Sequence, residues 1–265
     1  MKKIFTSILL VVMSGLLLTG CGSTSTSGTA ANTPAAPPKI IIGLDDNFPP
    51  MGFRDEQNKL VGFDIDLVTE AAKRLNMEVE FRPIDWNSKE VELNGKKVDA
   101  LWNGLTITEE RKKNIAFTQP YMANKQIIVV LPDSKVKTKA DLAGKVVGAQ
   151  DGSTSVDAMA KEPDVKNSFK ELKLYGDNVA ALIDLKAGRL DAVVVDEIVG
   201  RYYMTKKPGE YTLLTENFGT EDYGVGFRKD DTELLNKVQK ALDEMKADGT
   251  STKISEKWFN ANVLK

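Results

Sequence analysis

Three places in the chain combine residue types that can meet charge. Arg111 ends the run Trp102-Asn103-Gly104-Leu105-Thr106-Ile107-Thr108-Glu109-Glu110-Arg111. Its planar guanidinium matches a carboxylate bidentately. A helix-surface ion pair with Glu109, Glu110 or another acid would use the same residue type. Gly152-Ser153-Thr154 precedes a helical run over 155–161. Backbone N–H groups at a helix start attract anions, and Ser153 or Thr154 also suits plain capping. Asp196 follows Val193-Val194-Val195. At the carboxyl end of a buried strand its carboxylate can face a cleft, or it can cap the helix running through Tyr202. The residues alone leave both readings open at each place. They do exclude other chemistry. The chain has no histidine and one cysteine, so His-based catalysis and the usual zinc and copper ligand sets are out of reach. No cluster points to a metal or cofactor, and no catalytic residue is assigned.

The one cysteine sits where it explains itself. Met1, Lys2 and Lys3 precede an apolar run from Ile4 to Leu18, then Leu18-Thr19-Gly20-Cys21. This is the order of a secretory signal, and the apolar run is short for a membrane span. The segment resembles the signal of bacterial lipoproteins. That resemblance implies a signal peptide over 1–20, a lipid on Cys21, and an extracytoplasmic address at the cell membrane. Residues 22–38 are Ser, Thr, Ala, Gly, Asn and Pro without charge, too poor in apolar surface to fold. Residues 21–38 therefore read as a lipidated cysteine and a tether, with a reach of about 20–25 Å. The whole chain carries 36 basic and 38 acidic residues, a formal charge of −2. That balance argues against a nucleic-acid partner.

The rest must position the charged residues. Ile40-Ile41-Ile42-Gly43-Leu44 reads as a buried strand, 64–76 as an amphipathic helix through Ile65, Val68, Ala72 and Leu75, and 78–82 as another strand. Such alternation predicts parallel βαβ units in an α/β fold. Leu93-Asn94-Gly95-Lys96-Lys97-Val98-Asp99-Ala100 returns as Leu185-Lys186-Ala187-Gly188-Arg189-Leu190-Asp191-Ala192. Each reads as a helix end, a glycine stop and a buried strand, which predicts two lobes of similar topology. A single strand is expected over 223–228 and a long amphipathic helix over 232–247.

Four motifs then carry a resemblance. They are Gly43-Leu44-Asp45-Asp46-Asn47-Phe48-Pro49-Pro50-Met51-Gly52-Phe53, Val61-Gly62-Phe63-Asp64-Ile65-Asp66-Leu67, the run ending at Arg111, and Gly148-Ala149-Gln150-Asp151-Gly152-Ser153-Thr154-Ser155-Val156. In this order, over Lys39 to Lys265, they resemble the polar amino-acid solute-binding proteins of ABC importers. The resemblance implies a two-lobed periplasmic-binding-protein type II fold, each lobe a mostly parallel sheet flanked by helices, joined by two hinge strands. Lobe 1 would be 39–121 plus 224–265, lobe 2 would be 125–219, and the hinge 122–124 and 220–223. It implies a monomer that captures a polar L-amino acid and delivers it to the permease and ATPase of an importer.

The resemblance also implies roles. Arg111, Ser153 and Thr154 would hold the ligand carboxylate, and Asp196, the Gly104 carbonyl and Thr106 its ammonium. Phe48 and Trp86 would sandwich the side chain, with Asp45 and Gln150 at its tip. Asn103 stands where the family often has a small residue, so it would narrow the pocket or add a polar contact. Asp46 is expected to point away, since neighbours along a strand face opposite sides. A carboxylate and an amide at the tip suit glutamine, arginine, lysine, histidine or cystine and disfavour acidic or apolar ligands. A dehydratase on this scaffold and a ligand-sensing lipoprotein are the alternatives.

Overall fold

The computed structural model describes residues 36–265. The expected signal peptide, Cys21 and most of the tether lie outside the described residues. The first sheet runs in the order β5-β1-β6-β13-β7. Strand β1 (Lys39–Leu44), flanked on both sides and mostly buried, pairs in parallel with β5 (Glu78–Pro83) and β6 (Ala100–Leu101). The returning strand β13 (Gly226–Arg228) runs antiparallel to β6 and to β7 (Ile115–Phe117). A small antiparallel sheet of β2 (Asn47–Phe48), β3 (Gly52–Arg54) and β4 (Leu60–Val61) sits beside it. Helix α1 (Phe63–Arg74) buries Ile65, Leu67, Val68 and Ala72, and carries acids in its first turn and bases in its last, as the helix dipole favours. Helices α2 (Lys89–Asn94) and α3 (Glu109–Asn114) complete the stretch before the chain leaves this sheet.

The second sheet runs β10-β9-β11-β8-β12. Here β9 (Val146–Gln150) pairs in parallel with β10 (Glu171–Tyr175) and β11 (Ala192–Asp196). Two long strands, β8 (Met122–Val130) and β12 (Thr212–Tyr223), join it antiparallel. They are the strands by which the chain arrives from the first sheet and returns to it. Between them come α4 (Thr154–Ala160), α5 (Pro163–Ser168), α6 (Asn178–Lys186) and α7 (Glu197–Lys206). After β13, α8 (Thr232–Ala247) and α9 (Thr250–Phe259) pack back on α1. Strand β11 is buried throughout, as a strand covered on both faces must be.

The internal repeat is structural. Asp99 and Asp191 occupy equivalent places, and each exchanges two bonds with the neighbouring strand. The Ile41 N–H donates to Asp99 Oδ2 (2.9 Å) and the Val146 N–H to Asp191 Oδ2 (2.8 Å), while the aspartate amides donate to the Ile41 and Val146 carbonyls. The orders β5-β1-β6 and β10-β9-β11 match. The glycine stop differs between the copies. Gly188 takes a left-handed φ of 72°, but in the first copy the left-handed residue is Lys96, not Gly95. The expected strand over 223–228 is also two pieces. Tyr223 ends β12, and Gly224 donates to the Leu105 carbonyl before β13 begins.

Candidate functional site

Arg111 is aimed by its own helix start. Thr108 caps α3, its Oγ1 accepting from the Arg111 N–H (3.1 Å). Glu109 and Glu110 pair outward with Lys112 and Lys113, so they do not hold Arg111. The Arg111 side chain turns inward and is only 6 % exposed. Its Nη1 donates to the Thr106 carbonyl (2.9 Å) and its Nη2 to the Gly152 carbonyl of the second sheet's half (3.2 Å). The nearest carboxylate, Glu90, stands 4.0 Å from Nε. Burial lowers the Arg111 pKa against the pull of the surrounding acids, so an anion arriving here would be welcome.

The loop before α4 meets Arg111 from the other side. Gly152 has a φ of 68°, and a side chain there would strike the Asn87 backbone across the cleft, 2.7 Å from Cα. Its carbonyl also accepts from Lys89 Nζ (2.8 Å). Lys89 is buried, and desolvation together with Arg111 brings its pKa down to about 8. Ser153 stands at the cap position of α4, but its hydroxyl donates to the Gln150 carbonyl instead of capping. Thr154 opens the helix, and its hydroxyl meets that of Thr106 at 3.1 Å.

Asp196 occupies the cap position of α7 and makes no capping bond. Its Oδ1 accepts instead from Asn124 Nδ2 (2.7 Å), Gln126 Nε2 (3.0 Å) and the Tyr223 hydroxyl (2.6 Å). Burial, then the charge of Glu221, raise its pKa well above the usual carboxylate range. Gly104 has a φ of 59°, and an added Cβ would lie 2.8 Å from Phe48 and 3.2 Å from Tyr223; only glycine fits there. The Gly104 N–H donates to Asp64 Oδ2, which also accepts from the Tyr121 hydroxyl. Asp64 is fully buried, and desolvation raises its pKa to about 7.

At the far end Asp45 Oδ2 accepts from Gln150 Nε2 (2.7 Å), joining the end of β1 to the end of β9. Gln150 is held in turn by the Gly176 carbonyl and by Asn178. Desolvation raises the Asp45 pKa to about 6. Asp46 points away, to Arg54. Asn103 Oδ1 accepts from the Asp45 N–H (3.2 Å), so it braces the loop that carries Asp45. Phe48 and Trp86 are both buried, in different apolar clusters; Phe48 lies against Gly104, and Lys89 Nζ lies over Trp86.

The structure thus gathers Asp45, Asn103, Gly104, Thr106, Arg111, Gln150, Ser153, Thr154 and Asp196 along one junction between the two sheets. It adds residues the sequence did not single out. These are Lys89, Asn124, Gln126 and Glu221, whose Oε1 accepts from the Thr106 hydroxyl (3.0 Å) and from both amides. A signal existed for two of them. Met122, Asn124 and Gln126 alternate with exposed neighbours, so one face of β8 carries buried amides. Among the described residues no group of ligands is arranged for a metal, and no helix is long and apolar enough to cross a membrane.

Comparison with known proteins gives this junction a context. The family model described as bacterial extracellular solute-binding proteins, family 3, matches residues 40–261. The L-cystine-binding protein TcyJ of Escherichia coli is 32% identical over 228 residues, 85% of this chain and 84% of that protein. An ABC uptake transporter substrate-binding protein from Streptococcus pneumoniae, solved with bound histidine, superposes with a TM-score of 0.83 at 38% identity, over 86% of this chain and 94% of that one. An ancestral arginine-binding protein bound to arginine gives a TM-score of 0.79 at 43% identity, over 84% and 99%.

Proposed function

The chain belongs to the bacterial extracellular solute-binding proteins of family 3, and on that premise we propose that it captures an L-amino acid with a cationic side chain for an ABC importer. The carrying observation is the convergence, from both sheets, of a buried arginine fork, a buried aspartate and a second carboxylate, Asp45, at the far end. The ligand carboxylate takes the free part of the Arg111 fork and the Thr154 amide. The ammonium takes Asp196, with the Gly104 carbonyl and Thr106. Phe48 and Trp86 line the stem. Asp45, steadied by Asn103 and Gln150, receives the tip.

Charge balance supports a cationic tip. Asp45, Asp196 and Glu221 are carboxylates of this junction, against the cations Arg111 and Lys89. A zwitterion leaves that balance unchanged, whereas arginine, lysine or protonated histidine brings the missing positive charge. Aspartate and glutamate would add repulsion at Asp45. The reading also fits the histidine and arginine bound by the two similar structures.

In this proposal residues 39–121 with 224–265 form one lobe and 125–219 the other, moving about 122–124 and 220–223. The contacts Asp45–Gln150, Arg111–Gly152, Lys89–Gly152 and Thr106–Thr154 bridge the lobes, so a ligand that strengthens them favours closure. The protein acts as a monomer held to the membrane by a lipid on Cys21, through the tether, and the closed face docks on the permease. Solute binding, not turnover, is the family's work, so the dehydratase alternative falls away. A thermal-shift screen against the common L-amino acids tests the reading. Arginine, lysine or histidine at a hundredfold excess over Kd is expected to raise Tm by about 5 °C or more. A response to aspartate or leucine alone would contradict it.

A further inference from the structure

Two carboxylates meet at the junction of β8, β11 and β12. Asp196 Oδ1 and Glu221 Oε1 accept from the same two amides, Asn124 Nδ2 (2.7 and 2.7 Å) and Gln126 Nε2 (3.0 and 2.8 Å). These donors are neutral. The cations nearby on the hinge side are engaged elsewhere, Lys125 with Glu197 and Lys265 with Asp222. Arg111, whose charge both carboxylates feel, donates to the Thr106 and Gly152 carbonyls. Tyr223, the remaining titratable neighbour, donates its hydroxyl to Asp196 and is held far above its ordinary pKa by burial. Asp196 is buried and Glu221 half-buried, and two carboxylates this close, bridged by neutral donors, resist carrying full charge together.

Resting on the amino-acid reading above, we propose that Glu221 is the second carboxylate of the ligand-ammonium site, and that the Asp196–Glu221 pair holds one proton which the arriving ammonium displaces. The exchange balances simply. The unliganded pair carries one negative charge and one proton. Bound ammonium leaves both carboxylates ionised, and the proton goes to solvent, with no bond formed or broken in the ligand. Burial and the Glu221 charge hold the Asp196 proton well above the usual carboxylate range. A groove of about 280 Å³ lined by Asn124, Lys125, Glu197 and Glu221 gives that proton a way out on the hinge side. Glu221 also sits on a strand joining the two sheets and bonds Thr106, so the same carboxylate ties ammonium binding to the strand about which the lobes would move.

The test is calorimetric titration of the purified protein with L-arginine, or with L-lysine or L-histidine where arginine gives no heat, in buffers of different ionisation enthalpy. About one proton is expected to leave per ligand at pH 7, and affinity is expected to fall about tenfold from pH 7 to pH 6. Glu221→Gln should cut the proton count at pH 7 by about half or more and flatten the pH slope. Asp222→Asn, beside it but paired with Lys265, should leave the count unchanged. Binding without proton release by the wild type, which needs no variant to fold, overturns this inference and leaves the amino-acid reading standing. So does a Glu221→Gln protein that releases as many protons as the wild type. No heat with any of the three overturns both.

Discussion

A guanidinium taken out of water costs several kcal/mol unless an anion and hydrogen bonds replace the solvent, and Arg111 is that group here. Removing it should therefore affect every ligand alike, because all amino acids share the carboxylate. Arg111→Ala is expected to weaken binding of arginine, lysine and histidine by about 2–4 kcal/mol each, measured by calorimetry. Near-normal binding would place the carboxylate elsewhere. Asp45→Asn should act differently. It keeps the shape and removes the charge, so arginine and lysine should weaken about tenfold to a hundredfold while glutamine changes little. Equal losses for all three would take Asp45 away from the tip. Arg111, Thr154 and Asp196 were legible because each stands at a motif's fixed offset. Glu221, Asn124 and Gln126 were not, because only the antiparallel register of β8 against β12 brings them together. Glu221 in particular looks like one more exposed acid in Thr215-Glu216…Glu221-Asp222.

At the scale of elements, the two sheets are joined by turns as much as by side chains. Gly152 is the sharpest case, with a left-handed backbone and the Asn87 Cα only 2.7 Å from where a Cβ would be. Gly152→Ala should hold the loop before α4 away from Asn87 and lengthen the Lys89 and Arg111 bonds to the Gly152 carbonyl. Affinity for the ligand is expected to fall about tenfold or more, chiefly through faster dissociation, as stopped-flow release would read. An unchanged dissociation rate would mean that the loop does not close on the ligand. The paired runs ending in Asp99 and Asp191 were readable as a repeat because a helix end, a turn and a strand follow in fixed order. Which residue turns left-handed was not. Asn94-Gly95-Lys96 suggests glycine, yet Lys96 takes the strained place while Gly95 stays at φ −75°, since the position equivalent to Gly188 is Lys96. The break between β12 and β13 was hidden for a related reason. Tyr223 to Arg228 has an unbroken apolar pattern, and only the close approach of Gly224 to Ile107 and Phe117 divides it.

Over the whole molecule, burial of carboxyl groups sets a pH dependence. Asp45 and Asp64 titrate near 6 and 7 in the folded protein, and burial raises Asp196 as well, against about 4 in an unfolded chain. Above about pH 4 the native state holds protons that the unfolded chain has lost. Their contribution is complete below about pH 4 and is lost as pH rises through 6 and 7. The Tm of the unliganded protein is expected to drop by about 3 °C or more from pH 5 to pH 8, and Asp64→Asn should blunt the drop. A Tm that rises over this range would contradict the burial described for these groups. Saturating ligand should blunt it too, since the ammonium and the cationic tip supply the charge that the protons supplied. A cationic L-amino acid is expected at the junction of the two sheets, its carboxylate on Arg111 and its ammonium on Asp196. A crystal structure of the protein grown with L-arginine tests this most directly. Carboxylate oxygens are expected within about 3.2 Å of the Arg111 guanidinium and the Thr154 amide, the ammonium against Asp196 and Glu221, and the guanidinium against Asp45. Arginine bound with its carboxylate toward Asp45's end, or outside this junction altogether, would contradict it.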